Sequence, residues 1–326
     1  MDLWALSDLC TPWCVHVVAT LRVANHIDAG TTDIGALAAA VHADRDSLHR
    51  VLRQLVGKGL FEEPSPGQFA LNDGARQLLS PMMLLGLDLD AMGGRMAHAW
   101  GTLLTAVRTG RPAYHEAFGV DFWSDLEANP RIAADFDAMM GPAGHGVPSP
   151  EVLLDPSDWA TVKTVVDVGG GTGALLAEVL KAHPALRGLL IDLPRTVARS
   201  REMFESAGVL DRVTTSAQSF FDPLPAGADV YMMDKVLHDW PDREAKLILQ
   251  RCAEAARPNG RVVILSGVTP EEQASPELLM LVLVGGKNRT LTEFRELARE
   301  SGLEVQAAGR GPSGRFIVEC RATVVG

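Results

Sequence analysis

The stretch 165–173, VVDVGGGTG, constrains this chain more than any other. The β-branched residues Thr164, Val165, Val166 and Val168 predict a buried strand. The strand stops at Gly169-Gly170-Gly171-Thr172-Gly173 and passes into 174–180, a run of good helix formers. A strand, a glycine turn and a helix in that order let a ligand approach backbone that carries no Cβ. The helix end beside it offers free N–H groups and a partial positive charge. A second apolar run, Leu189-Leu190-Ile191, ends in Asp192, 19 residues after Gly173. A βαβ nucleotide site places its ribose-binding carboxylate at that distance. Glycines alone also close ordinary helix–strand packing, but strand, turn, helix and a strand-terminal acid together predict a nucleoside-cofactor site. The spacing is G-x-G-x-G, not the G-x-G-x-x-G of a dinucleotide turn.

A chain of 326 residues predicts about two domains. With 47% hydrophobic residues it can bury a large core. The net charge of −11 argues against nucleic acid or an anionic membrane as partner, since both call for a basic face. No apolar run approaches the ~18–20 residues of a membrane span. The segment 1–23 contains acids and a proline and lacks a basic leading region, so it does not read as a signal peptide. Four cysteines form no disulfide framework in a chain of this length, which predicts a reduced, cytoplasmic setting. Cys10 and Cys14 share one helix face without nearby His or Asp support, so packing explains them better than a metal, and no metal site is expected.

Along the chain, 3–29 has helical spacing broken at Pro12, with His16 and His26 as packing or surface residues. The segment 33–60 reads as three short helices, the last capped by Asp44 with an apolar stripe of Leu48, Val51, Leu52, Leu55 and Val56. A hairpin over 60–71, turning at Pro66-Gly67, completes a winged-helix pattern. Its candidate recognition helix carries Arg45, His49, Arg50 and Arg53, but also Asp44 and Asp46 in an acidic chain. A dimer surface therefore fits better than DNA binding. A Met-rich helical region follows (Met82, Met83, Met92, Met96, Trp100), either core or the wall of an adaptable pocket. A short helix is expected over 135–140, then a Gly/Pro loop over 141–150 holding His145. From Thr164 onward strands and helices alternate, which predicts a parallel sheet with helices on both faces. Strands are expected near 164–168, 188–192, 212–216, 228–233, 261–266, 304–308 and 315–320. Gly169, Asp192, Ser219, Asp234 and His238 each follow a predicted strand and should converge on one cleft.

VVDVGGGTG, IDLP (191–194), SFFDPLP (219–225), DKVLHDWPD (234–242) and LVGGKNRT (283–290) occur in that order. Together they resemble the small-molecule O-methyltransferases related to plant caffeate methyltransferases, and more closely the bacterial tailoring enzymes of anthracycline and mitomycin type. TLRVANHI (20–27) and VLRQLVGKGLF (51–61) are similar to that family's dimerisation domain, and TGRPAYHEAFG (109–119) to its linker. The resemblance implies an α/β fold: a Rossmann-like S-adenosylmethionine (SAM)-dependent methyltransferase domain at 151–326, behind a mostly α-helical winged-helix dimerisation domain at 1–95 and a helical linker at 96–150. It implies SAM as cofactor and S-adenosylhomocysteine (SAH) as product, with NAD the second choice. It also implies a homodimer and a small aromatic or polyketide-like substrate.

By the same resemblance, Gly169 and Gly171 let the backbone approach the cofactor and Asp192 accepts from the ribose hydroxyls. Phe220 stacks on the adenine, with Ser219 where relatives carry a carboxylate. Asp234, where relatives often carry Lys or Ser, contacts the cofactor in its own way. Trp100, Phe136, Met139, Met140, His145, Met280 and Val284 fall at substrate-pocket positions. His238 is the candidate general base, since a phenol attacks a sulfonium methyl faster once its proton is gone and an imidazole near pKa ~6.5 can take it at neutral pH. The alternative is a histidine that merely hydrogen-bonds at a strand end. Relatives orient this histidine with two carboxylates, and this chain has Ser266 and Asn288 at those positions. His238 is then either a weak base or helped by proximity alone, which can supply several kcal/mol. A second reading keeps SAM on the same scaffold for hydroxylation, decarboxylation or pericyclic rearrangement. A third, a DNA-binding regulator, is opposed by the charge balance.

Overall fold

A computed structural model of the chain describes residues 2–273 and 276–323. It divides into two units, Met1–Gly101 with Asp125–Met139, and Thr102–Ser124 with Met140–Gly326. The segment 96–150, expected as a linker of its own, is thus shared: 96–101 and 125–139 fold with the first unit and the rest with the second.

In the first unit, aspartates set the helix starts. Asp33 accepts from Gly35 N and Ala36 N to open the helix Ile34–Ala40, and Asp44 accepts from Ser47 N to open Arg45–Gly57. These two helices occupy the segment expected to hold three. Pro12 does not break the helix Cys10–Thr20 but lies in its first turn, where a missing N–H costs nothing. The helix expected over 135–140 begins earlier and runs Pro130–Met140. Strands β1 (Glu62–Ser65) and β2 (Gln68–Ala70) pair antiparallel as the wing. Leu48, Leu52 and Leu55 of the helix Arg45–Gly57 are buried in a core shared with Val18, Leu37, Phe61 and Phe69. Its basic side chains are neutralised locally. Arg50 pairs with Asp46, while Arg53 and His49 reach Glu63 on the wing at 3.6 and 3.3 Å. An apolar surface remains on the N-terminal helices, where Trp4 is 87% exposed beside exposed Leu3, Leu6 and Leu9.

The second unit is built on β3 (Thr164–Val168), β4 (Arg187–Asp192), β5 (Val213–Ala217), β6 (Val230–Met233) and β7 (Arg261–Ile264), followed by a short parallel pair, β8 (Val268–Thr269) and β9 (Arg289–Thr290), and by β10 (Leu303–Arg310) and β11 (Phe316–Ala322). The main sheet has the order β10-β11-β7-β6-β3-β4-β5. β3 to β7 run parallel, whereas β11 lies antiparallel to both β7 and β10. The sheet is therefore mixed, not purely parallel, because a tight hairpin joins its last two strands. The central strands are buried on both faces, as their β-branched runs predict: all four residues of β6 and Val165–Val168 of β3 are buried. Winding proceeds outward from β3 through β4 to β5, then returns to β6 on the other side. The reversal leaves a crevice at the carboxyl ends of β3, β4 and β6, where ligands of such sheets bind.

The bend after β3 depends on Gly173. Its φ is +87°, and a Cβ there would lie 2.2 Å from Cζ of buried Phe204. Left-handed strain and overpacking then act together, so Gly173→Ala is expected to lower stability by roughly 2–4 kcal/mol in urea unfolding.

Candidate active site

Three strand ends supply the cofactor side of the crevice. Gly169, Gly171 and Gly173 all adopt positive φ. Gly169 is hemmed in: an added Cβ would meet Val236 at 2.7 Å and the Phe220 ring at 3.3 Å. Gly171 is the open position, with nothing within 4 Å of an added Cβ. Close approach of a ligand to bare backbone is thus available at Gly171, while Gly169 sets the distance to Phe220. Asp192, at the end of β4, accepts from Gly171 N at 2.8 Å and from Leu193 N at 2.8 Å, so the acid is fixed against the glycine bend. Ser219 accepts from Phe221 N and shapes the turn that carries Phe220. Phe220 meets Trp240 edge-on at 5.9 Å, and Trp240 stacks on Trp123 at 5.6 Å, which stiffens this aromatic wall. Asp234, after β6, pairs with Arg315 at 3.4 Å.

Beneath the bend lies Asp167, fully buried on β3. Burial, with Asp234 and then Asp192 nearby, pushes its carboxyl up to about 8, so it is held as the neutral acid at pH 7. A Cβ on Gly170 would strike this carboxyl at 2.4 Å.

His238 sits in a short 3-10 turn, Leu237–Asp239, with its chain passing between two close backbone neighbours. A Cβ on Gly267 would lie 2.9 Å from His238 N, and one on Gly286 would lie 2.0 Å from His238 O. Arg289 fixes the turn from below. Its guanidinium is 1% exposed and donates to Leu237 O at 3.0 Å and Trp240 O at 2.8 Å, with Nε on Asp242 at 2.9 Å. Burial depresses the His238 imidazole below its ordinary value. Glu277, then Asp234, favour its charged form, and Lys235 and Arg289 oppose it. It is neutral and ready to accept a proton at pH 7. Its neighbour Asp239 lies 3.4 Å from Nε2, but burial pushes that carboxyl up to about 8. Burial thus works against an ion pair at this contact.

The two positions expected to lack an orienting carboxylate have other uses. The Ser266 hydroxyl accepts from the backbone N–H of Lys235, a residue held at φ +56°. Asn288 donates to Glu277 at 2.9 Å. Sequence reading missed Asp239, Glu277 and Arg289. Asp239 and Arg289 lie inside the motifs DKVLHDWPD and LVGGKNRT, but their surroundings are not legible from residue types, and Glu277 lies outside every motif.

The expected pocket residues divide between the units. Trp100, Phe136 and Met139 belong to the first; Met140, His145, Met280 and Val284 belong to the second. Within the second, Met140 O accepts from Lys235 Nζ at 3.4 Å, and His145 ends a short helix, Pro142–His145, rather than lying in a loop. Burial, then Lys235, depress the His145 imidazole, while Asp234 opposes them. Met280 lies on the helix Leu278–Leu283, and Val284 caps its end.

An O-methyltransferase domain model matches residues 100–304, and an O-methyltransferase dimerisation domain model matches residues 4–81. The chain belongs to the O-methyltransferase family. It is 42% identical to the 2,7-dihydroxy-5-methyl-1-naphthoate 7-O-methyltransferase of Streptomyces carzinostaticus, over 94% of each chain. It is 36% identical to aclacinomycin 10-hydroxylase of Streptomyces purpurascens, over 91% of this chain and 82% of that one. Its structure matches an O-methyltransferase of neocarzinostatin biosynthesis, solved with SAH and 1,4-dihydroxy-2-naphthoic acid, with a TM-score of 0.90, 41% identity and 99% coverage of both chains. The enzyme is a SAM-dependent O-methyltransferase with a helical dimerisation domain and a Rossmann-like catalytic domain.

Asp167 gives the enzyme a pH signature. Its folded-state pKa is raised, so the stability it contributes is complete below the unfolded pKa of about 4. That stability is lost as pH rises through the folded value of about 8. Asp167→Asn mimics the protonated acid. The stability of the variant relative to wild type, read from thermal melts, is expected to grow between pH 4 and 8 and then level off.

Proposed function

We propose that the enzyme transfers the methyl of SAM to a hydroxyl on an aromatic or polyketide-like intermediate of natural-product biosynthesis, with His238 as general base. The observation that carries this is the half-buried imidazole of His238, held in a braced turn that follows β6 in the sheet that carries the glycine bend. Bound SAM supplies an electrophilic methyl on a sulfonium. Gly171 and Asp192 suit its nucleoside part, one by open backbone and the other by a carboxylate fixed to that backbone. Phe220 offers a ring face for the adenine, and Gly169 and Ser219 fix the position of that ring. Asp234 is paired with Arg315 at 3.4 Å.

The proton of the acceptor hydroxyl passes to the His238 imidazole as oxygen attacks the methyl. Burial keeps the imidazole in the accepting form beforehand, and the Trp240–Phe220 wall keeps water away. Within the second unit the proposed acceptor wall is made by Met140, His145, Met280 and Val284, whose thioether, imidazole and aliphatic groups suit a flat ring system. Hydroxynaphthoates, as in the naphthoate relatives, are the acceptor class to try first. We also propose a homodimer through the exposed Leu3, Trp4, Leu6 and Leu9 surface of the dimerisation domain, and a cytoplasmic setting. Aclacinomycin 10-hydroxylase at 36% identity favours one second reading, hydroxylation with SAM retained.

Incubation with SAM and 1,4-dihydroxy-2-naphthoic acid should give a product heavier by one methyl with one SAH released per turnover. Oxygenated product without SAH would support the second reading instead. His238→Ala should lower kcat by about 10²–10⁴-fold with little change in SAM affinity, measured by single-turnover mass spectrometry. Asp192→Ala should weaken SAM binding by about 10- to 100-fold in calorimetry, the loss expected of hydrogen bonds to a charged group.

A further inference from the structure

His238 becomes an imidazolium when it takes the acceptor's proton, and that charge forms in a half-buried site. Charge taken out of water is costly unless a counter-charge faces it. The charged groups around His238 are Glu277, Asp234, Lys235 and Arg289, and Asp239 lies 3.4 Å from Nε2 in its own turn, its carboxyl pushed up by burial. Two of these are taken. Asp234 is paired with Arg315, and the Arg289 guanidinium is spent on Leu237 O, Trp240 O and Asp242. Lys235 is a cation and opposes the imidazolium. Glu277 is the remaining carboxylate.

The backbone of Glu277 is strained in a way its local structure does not require. It stands at the N-cap of the helix Leu278–Leu283 with φ +42° and ψ +46°, a conformation rare for any residue with a side chain. N-cap residues normally turn the side chain onto the helix's own first N–H groups. Glu277 makes no such bond. Its carboxylate instead accepts from Asn288 Nδ2 at 2.9 Å. Asn288 lies two residues after Gly286, whose missing Cβ lets that strand press against His238 O. The strained cap therefore aims a half-buried acid away from its own helix and toward the segment packed on His238.

We propose that Glu277, held by Asn288, is the positioning carboxylate of His238: it stabilises the imidazolium that forms during methyl transfer. This inference rests on the reading of His238 as base given above. Asn288 supplies no charge itself; it holds the charge of a residue eleven positions earlier in the sequence. A carboxylate is thereby delivered from outside the motif that carries Asn288.

The test is the titration of His238, followed by NMR in the full-length protein with SAH bound and histidine isotopically labelled. His238→Asn identifies the resonance. Glu277→Gln keeps the shape and an acceptor for Asn288 but removes the charge. It is expected to lower the His238 midpoint by about one pH unit. With 1,4-dihydroxy-2-naphthoic acid as acceptor, the acidic limb of kcat/KM should move down by the same amount. The plateau kcat should fall about three- to tenfold as the base weakens, with KM for the acceptor little changed. Glu277→Asp should return the limb toward wild type. Glu277→Gly suits the left-handed backbone and serves as the second charge-removing variant should the Gln protein fold poorly. A purely structural role for Glu277 would lower the rate without moving the midpoint. An unchanged His238 midpoint in both charge-removing variants overturns the proposal, whatever the rate. A shifted midpoint in an enzyme that transfers no methyl to any phenol would sustain the pair and sink the role of His238 as base.

Discussion

Arg289 donates to the main-chain oxygens of Leu237 and Trp240 and to Asp242, with its own side chain almost wholly buried. Removing one partner of a buried charge leaves the other unsatisfied, which is strongly destabilising. The turn carrying His238 therefore cannot shift unless the guanidinium shifts with it. Two glycine-lined backbones press on the same turn from either side, so it has no slack in which to relax. Every chemical property assigned to His238 follows from that confinement: its depressed basicity, its distance from Asp239, and its exposure to the field of Glu277.

The crevice shows a consistent economy of charge. Asp167, Asp192 and Asp234 crowd the ends of the central strands. Burial first, then the two other acids, pushes the Asp167 carboxyl up to about 8, while Asp192 accepts from two backbone N–H groups. Burial likewise pushes up the Asp239 carboxyl beside the imidazole. The result is a site with one well-placed negative charge on the cofactor side and one held carboxylate on the base side.

Much of this was legible in the sequence. Central strands announced themselves because burial on both faces selects continuous β-branched runs, and the glycine bend and Asp192 because nucleotide geometry fixes their spacing. Other features depend on long-range packing that no local pattern carries. Pro12 was read as a break, yet in a first helical turn it interrupts no bond. The return of 125–139 to the first unit depends on contacts far apart in sequence, among them Arg95 with Asp125 at 2.7 Å. Ser266 and Asn288, where the resemblance implies carboxylates, make contacts that no local pattern carries. Asn288 holds an acid from another segment, and Ser266 serves a strained backbone N–H instead.

The wing offers a different lesson. A single acid, Glu63, sits between His49 and Arg53 and also accepts from Gly67 N at 2.8 Å, so one side chain closes the hairpin tip and quenches the adjoining helix face. In this architecture the polarity of a surface that elsewhere grips polyanions is decided by the loop next door rather than by the helix itself. Loss of that one carboxylate would leave Arg53 without its counter-charge and the hairpin tip without its clasp, and would alter no residue of the helix.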